Sequence, residues 1–249
     1  MNGYLAILRR ELAGLFLQPL AWFLLAVALL LQGLFYSAAL GGLFAGDTAA
    51  ALTFALGGGV DFWVLMAVLP PLITMRMVSE EARSGLLEFL LTAPVRDSAV
   101  ILGKASAATV FFALVWCAAP LYAVLLAFLG VEVDWGQVLW GYAGALVVSA
   151  LFCSAGLFAS ALSATPALAA FIAFSIGVVL LALPSLGLLD PYLPPETARE
   201  IFSNFDVLAR HQASFLRGAL DTAHLVFFLT WIALFLFLAT RLLEMRRWR

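Results

Sequence analysis

The sequence predicts an all-α integral membrane protein with six transmembrane helices. Hydrophobic residues make up 65% of the 249 residues and charged residues only 11%, and the mean hydropathy is +1.08. Soluble domains have about 25% charged residues, so this composition indicates lipid as the surrounding solvent. Long runs without charge locate the spans, and the uneven distribution of Lys and Arg indicates their orientation. The chain is predicted to form a single domain over residues 1–249.

Residues 1–19 are predicted to form an interfacial helix before span one. Apolar residues recur at helical spacing at Tyr4, Ile7 or Leu8, Leu12 and Leu15. Arg9, Arg10 and Glu11 are expected on the opposite face, as in helices that lie on a membrane surface. Gln18-Pro19 then turns the chain into the first span. The alternative is that these residues are the start of one long first helix.

Four runs without a charged residue locate most of the spans: 12–46, 105–131, 135–189 and 222–240. A helix needs about 20 residues to cross the hydrocarbon core, so the long run 135–189 must hold two spans. Pro166 is the expected break between them, because proline removes a helical hydrogen bond. Span two has only residues 62–75 free of charge. It can cross if Arg76 snorkels and Gly57–Gly59 extends its outer end.

Six spans place both termini and residues 76–104 on the same side of the membrane. That side carries ten of the thirteen basic residues: Arg9, Arg10, Arg76, Arg83, Arg96, Lys104, Arg241, Arg246, Arg247 and Arg249. The other side has three basic and nine acidic residues. Because cytoplasmic loops are enriched in Lys and Arg, both termini and residues 76–104 are predicted to be cytoplasmic.

Residues 76–104 contain four basic and four acidic residues in a chain that is otherwise poor in charge. A helix is predicted from Ser79 to Thr92, and Ala93-Pro94 ends it. Its apolar stripe consists of Leu86, Leu87, Leu90 and Leu91. Its polar residues are Glu80, Glu81, Arg83 and Glu88. Such a stripe must be covered by the membrane surface, by the chain's own spans or by the groove of a soluble partner.

Residues 190–221 form the long segment on the outer side. Residues of one helical face recur there at Ile201, Phe205, Leu208, Gln212 and Phe215. This spacing, after two prolines that can open a helix, predicts a short amphipathic helix that dips into the outer leaflet.

Asp61 is expected at the outer interface. The alternative for Asp61 is a polar lining at the mouth of a pathway.

The sequence predicts no catalytic, cofactor or metal site, and no nucleic-acid partner is expected. Gly103-Lys104 is not preceded by a glycine-rich phosphate loop, and His211 and His224 lack the spacing of metal ligands. Ion-coupled carriers need titratable or unwound sites near the midplane, and the spans contain almost no titratable residues. An ion-coupled secondary transporter and a non-transporting membrane scaffold are the alternative functions.

The segment TMRMVSEEARSGLLEFLLTAPVRDSAVILGK resembles the cytoplasmic loop of bacterial ABC-type export permeases of the ABC-2 class, in particular their gliding-motility branch. The matching residues are Thr74-Met75-Arg76, Glu80-Glu81, Ser84-Gly85, Leu87-Glu88, Leu91 to Val95 and Gly103-Lys104. Leu86 stands where the family usually has Thr. The start, RREL…QPLAWF, and the end, FLRGALDTAHLVFFLTWIALFLFLATRLLEMRRWR, are also similar to this branch.

This resemblance implies a permease subunit that couples ATP hydrolysis by a separate ATPase subunit to substrate export or mechanical work. Residues 76–104 would contain a coupling helix seated in a cleft of the ATPase. The four leucines would be buried there, and the contacts at the rim would come from Glu80, Glu81, Arg83 and Glu88. The turn from Ser163 to Thr165 would be a second, smaller contact. ATP and Mg²⁺ would be bound by the ATPase dimer.

The resemblance further implies a second permease subunit, identical or related, and a location in the bacterial inner membrane. It also implies an extracytoplasmic accessory membrane protein that contacts residues 190–221. The candidate residues for this contact, or for an outer pathway, are Asp61, Phe205, His211 and Phe215.

Overall fold

The computed structural model describes residues 2–43, 47–87, 95–186, 204–218 and 221–247, and the regular elements in these ranges are helices. The α-helices are α1 (Asn2–Leu17), α2 (Pro19–Ala38), α3 (Thr48–Thr53), α4 (Val60–Thr74), α5 (Ser79–Arg83), α6 (Asp97–Trp116), α7 (Ala118–Phe128), α8 (Trp135–Leu162), α9 (Pro166–Leu186), α10 (Val207–Ser214) and α11 (Thr222–Arg247). π-Helical turns follow α2 and α3 at Ala39–Leu43 and Phe54–Gly58, and a 3₁₀ turn follows α10 at Phe215–Arg217.

Six stretches of helix are long and apolar enough to cross a membrane, which confirms the predicted fold class. In chain order, spans one to six are Pro19–Gly42, Thr48–Arg83, Asp97–Phe128, Trp135–Leu162, Pro166–Leu183 and Thr222–Arg246. Each is close to or above the roughly 20 residues that a bilayer core requires. The chain is therefore a multi-pass membrane protein.

Span two differs from the prediction because it begins at Thr48, well before Gly57. The Asp47 carboxylate accepts a hydrogen bond from the Ala50 amide at 3.1 Å and caps α3. The helix breaks at Gly57, whose φ of 125° is in a region that suits glycine. It resumes as α4 at Val60. Span two therefore consists of two helical parts, and Gly57–Gly59 lies inside the span rather than at its outer end.

The predicted break between spans four and five is confirmed. Helix α8 ends at Leu162 and α9 begins with Pro166 at its first turn. A residue far along the chain provides hydrogen bonds to the end of α8. The Arg246 guanidinium donates to Ala161 O in the last turn at 2.8 Å and to Ser163 O just after the helix at 3.2 Å. The end of span six is thus fixed to the turn between spans four and five.

Helix α8 is the centre of the bundle and packs against α4, α6, α9 and α11. Small residues let its neighbours approach, as is common between membrane helices. A Cβ atom at Gly156 would lie 2.1 Å from Thr74 Oγ1, and one at Gly144 would lie 2.5 Å from Phe215. Trp116 Nε1 donates to Ser149 Oγ at 2.9 Å inside this core. Spans one, five and six are mostly exposed on their outer faces.

Helix α1 is separate from α2, which excludes one long first helix. The chain is extended at Gln18 (φ −85°, ψ 126°), and Pro19 starts α2. Ile7 and Leu15 are buried as expected, because α1 packs along α6. The expectation for Glu11 is wrong: its side chain is only 11% exposed, since it turns inward toward a basic partner on α6.

In the outer segment, residues 190–203 lie outside the described residues, and α10 begins only at Val207. Its buried positions are Val207, His211 and Ser214, and Phe215 continues them in the 3₁₀ turn. The predicted stripe is thus displaced, because Phe205 is 40% exposed. The displacement arises because this face packs on the protein's own spans rather than on lipid.

Candidate functional site

One end of the bundle gathers α1, α5, the turn between α8 and α9, and the end of α11. Helix α5 packs against α8 and α9. Ser160 of α8 accepts hydrogen bonds from the Val78 and Ser79 amides at 3.2 and 3.1 Å, and it donates to Met75 O at 3.0 Å. These two amides would otherwise lack partners at the start of a helix. The start of α5 is therefore held by span four.

The predicted helix from Ser79 to Thr92 is interrupted in the part that the structure describes. Helix α5 ends at Arg83, and Gly85 adopts a left-handed conformation with φ 74°, as glycine commonly does after a helix end. The chain is helical again at Leu86 and Leu87. The remaining predicted residues, Glu88, Leu90 and Leu91, lie outside the described residues.

The first two residues of the predicted leucine stripe, Leu86 and Leu87, differ in exposure. Leu87 is 4% exposed and belongs to the main core, so the chain's own spans cover it. Leu86 is 49% exposed. Glu80 and Arg83 are also exposed. The surface that α5 and its neighbourhood offer to a partner therefore includes Glu80, Arg83, Ser84 and Leu86.

Glu81 does not lie on the outer face of α5 as predicted. Its carboxylate is 2.8 Å from Lys104 Nζ and 2.6 Å from Arg10 Nη2. Lys104 is 1% exposed and also lies 2.9 Å from the Glu11 carboxylate, which in turn pairs with Arg10. We call Arg10, Glu11, Glu81 and Lys104 the four-charge cluster. Its charges balance, as buried charges require.

The cluster affects the guanidinium of Arg10, which is partly exposed. Burial lowers its pKa, but the hydrogen bonds and negative charges of Glu11 and Glu81 outweigh burial and raise the pKa. Sequence reasoning missed this cluster. The signal was Lys104 itself, because a lysine at the start of a long apolar run needs a buried partner or a route to water.

The turn between α8 and α9 lies beside α5. Arg83 and Ser84 share a cleft with Pro166 and Ala167, so the structure brings the two predicted partner contacts together. Within the turn, Thr165 is exposed. Ser163 is 1% exposed, and its hydroxyl donates to Ala159 O at 2.7 Å. Thr165 is thus accessible to a partner, whereas Ser163 is buried.

At the opposite end of the bundle, the predicted outer residues are mostly internal. His211 is fully buried, and its Nε2 lies 2.9 Å from Leu56 O. Its ring stacks on Phe62 at 5.4 Å and meets Trp63 edge-on at 5.7 Å. Burial lowers the pKa of His211 to about 4. His211 is therefore not on the surface of this chain, and a contact between it and an accessory protein stays a prediction.

The other three outer candidates differ in exposure. Asp61 is 6% exposed in the first turn of α4, and Phe215 is 1% exposed. Phe215 is buried because it packs over Gly144 of α8, whereas Asp61 Oδ1 lies close to Gly59 at the break in span two. Phe205 is the exposed member, and its ring lies edge-on to Trp231 at 6.3 Å. Of the four, Phe205 is therefore the residue that a surface partner could reach.

Among the described residues, no group of three or more His, Cys, Asp or Glu side chains could hold a metal ion. Cys117 and Cys153 are free, and Cys153 is buried.

Comparison with protein families gives a match over most of the chain. The family model described as "ABC-2 family transporter protein" matches residues 48–248. No curated protein matches the chain. The matched region contains spans two to six and α5, whereas α1 and span one precede it.

Proposed function

This chain belongs to the ABC-2 transporter family, and on that premise we propose that it couples ATP hydrolysis by a separate ATPase subunit to export or mechanical work. Its six-span bundle is the permease component of an ABC transporter. ATP and Mg²⁺ are bound by a dimer of cytoplasmic ATPase subunits in this proposal. Membership of the family argues against an ion-coupled secondary transporter and against a scaffold that transports nothing.

The observation that carries the proposal is the way α5 is held. Its first amides are bonded to Ser160 of span four, and Glu81 is paired with charges on α1 and α6. Glu80, Arg83 and Leu86 are nevertheless exposed. A short helix with a fixed base and an exposed tip can transmit displacement from a partner into packed spans. Thr165, beside the same cleft, supports a second contact.

The charge distribution supports a cytoplasmic position for this end in the bacterial inner membrane. Arg10, Arg76, Arg83, Lys104 and Arg246 all lie at the end that carries α5. Cytoplasmic surfaces of membrane proteins are enriched in such residues. Both termini are then cytoplasmic.

A second permease subunit, identical or related, completes the pathway in this proposal. In spans one, five and six, less than a third of the residues in the most apolar stretch are buried within the chain. These faces are therefore available to lipid and to a second subunit related by a two-fold axis. The resemblance to the gliding-motility branch adds an accessory membrane protein at residues 190–221, where Phe205 is exposed.

The test is co-purification of the ATPase with the tagged full-length chain from native membranes, with the ATPase identified by its own phosphate-loop sequence. Leu86→Asp places a charge at the exposed tip and should abolish co-purification while membrane insertion is unchanged. Leu129→Asp is the control and should retain the ATPase, because Leu129 is an exposed apolar residue (79%) just after span three, at the opposite end of the bundle. Full retention of the ATPase by Leu86→Asp would contradict the proposal.

A further inference from the structure

The N-terminal helix α1 lies before the region that matches the family, yet it is tied to α5. We propose that Lys104 is a positioning residue that makes α1, α5 and span three move as one body when a partner displaces α5. This inference rests on the proposed function. It assigns α1 a part in transmitting the ATPase motion, through the four-charge cluster.

Helix α1 is fixed to span three by contacts on both sides of Lys104. A Cβ atom at Gly103 would lie 2.7 Å from Ile7, so the two helices are nearly in backbone contact there. Tyr4 donates from its hydroxyl to Ser106 Oγ at 2.9 Å. Lys104 lies between these contacts and pairs with Glu11 at 2.9 Å. Helix α1 and the start of α6 therefore form one packed unit.

Helix α5 reaches this unit through side-chain charges. Its backbone packs against α8 and α9, and a cleft of about 280 Å³ separates it from α1. The cleft has Gly14 and Gln18 on the α1 side and Glu80 and Ser84 on the α5 side. Glu81 bridges this gap to Lys104 and Arg10.

The ion pairs of the four-charge cluster are largely buried. Lys104 is 1% exposed, and the carboxylates of Glu11 and Glu81 are 11% and 15% exposed. Exposed ion pairs contribute little because water screens them, whereas a buried pair that loses one member leaves a costly unpaired charge. Displacement of Glu81 must therefore carry Lys104 and Glu11 with it or break the cluster. The cluster favours common movement of the three helices.

The experiment measures nucleotide-dependent accessibility of α1 in the complete transporter, purified with its ATPase into nanodiscs. A single cysteine replaces Leu5, which is 49% exposed on α1, after Cys117→Ser and Cys153→Ala. Its maleimide labelling rate is compared without nucleotide and in the ATP–vanadate state. We expect the rate to change between these states in the parent protein. That nucleotide dependence should be lost in Glu81→Gln, although the ATPase is still bound.

A second variant separates coupling from folding. Lys104→Gln alone leaves an excess negative charge and should lower stability, whereas Glu81→Gln with Lys104→Gln keeps Arg10 paired with Glu11 and restores charge balance. The double variant should recover thermal stability but still lack the nucleotide dependence. A purely structural role would restore both. The control is Arg241→Gln with Glu244→Gln, which removes an exposed pair at 2.7 Å on α11 and should change neither property.

The outcomes distinguish the two proposals. If the parent chain holds no ATPase, the proposed function fails, and the inference fails with it. If the ATPase is held but the parent shows no nucleotide-dependent labelling, or Glu81→Gln shows the parental dependence, the inference alone is overturned.

Discussion

His211 Nε2 lies 2.9 Å from the carbonyl oxygen of Leu56, the last residue before the left-handed Gly57 in span two. The carbonyl can only accept, so Nε2 carries the proton and donates it. Trp63 Nε1 donates to the next carbonyl, Gly57 O, at 3.0 Å. The break in span two is therefore satisfied by side chains from α4 and from the outer helix α10.

Stability should fall as the pH is lowered from about 6.5 to about 4. Burial lowers the pKa of His211 to about 4, so the unfolded chain binds more protons than the folded chain between these values. The free energy of unfolding is therefore not reduced by this histidine above about pH 6.5, and it is about 3 kcal/mol lower at pH 4. Thermal unfolding in detergent over this range measures it. His211→Asn should reduce the pH slope, and an unchanged slope would contradict this assignment.

Gly57→Ala should destabilise the protein by about 2 kcal/mol or more, because alanine is strained at φ 125° and its Cβ would lie 2.4 Å from His211 Nε2. Gly14→Ala is the matched control in α1, where nothing lies within 4 Å of the added atom. That change should be neutral or stabilise by up to about 1 kcal/mol. Melting temperatures in detergent compare the two, and equal effects would exclude the steric explanation.

Lys104→Gln should lower the free energy of unfolding by about 3 kcal/mol, because Glu11 and Glu81 then share only Arg10 in a largely buried site. Adding Glu81→Gln should recover most of this loss. Denaturant or thermal unfolding of the two variants provides the measurement. An additive loss in the double variant would show that the charges do not interact.

Ser160→Ala should loosen the start of α5, since it removes the acceptor for the Val78 and Ser79 amides. Leaving buried amides unpaired costs about 2 kcal/mol. Hydrogen exchange at these two amides should accelerate. Ser175→Ala is the control, because Ser175 is only partly buried and its hydroxyl donates to Phe171 O within its own helix. Unchanged protection of Val78 and Ser79 would contradict the role of Ser160.

Much of the fold follows from local sequence. The uncharged runs and Pro166 predict five of the six spans, because length and helix breaking are properties of neighbouring residues. The sequence predicts that span two begins near Gly57, because Gly57–Gly59 resembles a boundary. In the structure these glycines are a break inside a span that begins at Thr48. Only the packing of His211 against Gly57 shows why that break is stable within a span.

The candidate site was predicted less well, because its contacts join distant residues. Glu81 pairs with Lys104 and Arg10, and Ser160 caps α5 from span four; neither relation has a local pattern. Leu86 and Leu87 are adjacent and chemically identical, yet one is exposed and the other is in the core. The turn at Gly85 separates their environments. A helical periodicity that assumes one continuous helix from Ser79 to Thr92 could not distinguish them.

The bond between His211 and Leu56 spans 155 residues of sequence, and this sets an order of assembly during synthesis. The four-charge cluster needs no residue beyond Lys104, so it can form as soon as the start of span three has left the ribosome. The break in span two must wait until three further spans and the chain through residue 211 have been made. The four-charge cluster can therefore form early, whereas the contacts that Ser160 and Arg246 make at the same end of the bundle must wait for spans four and six.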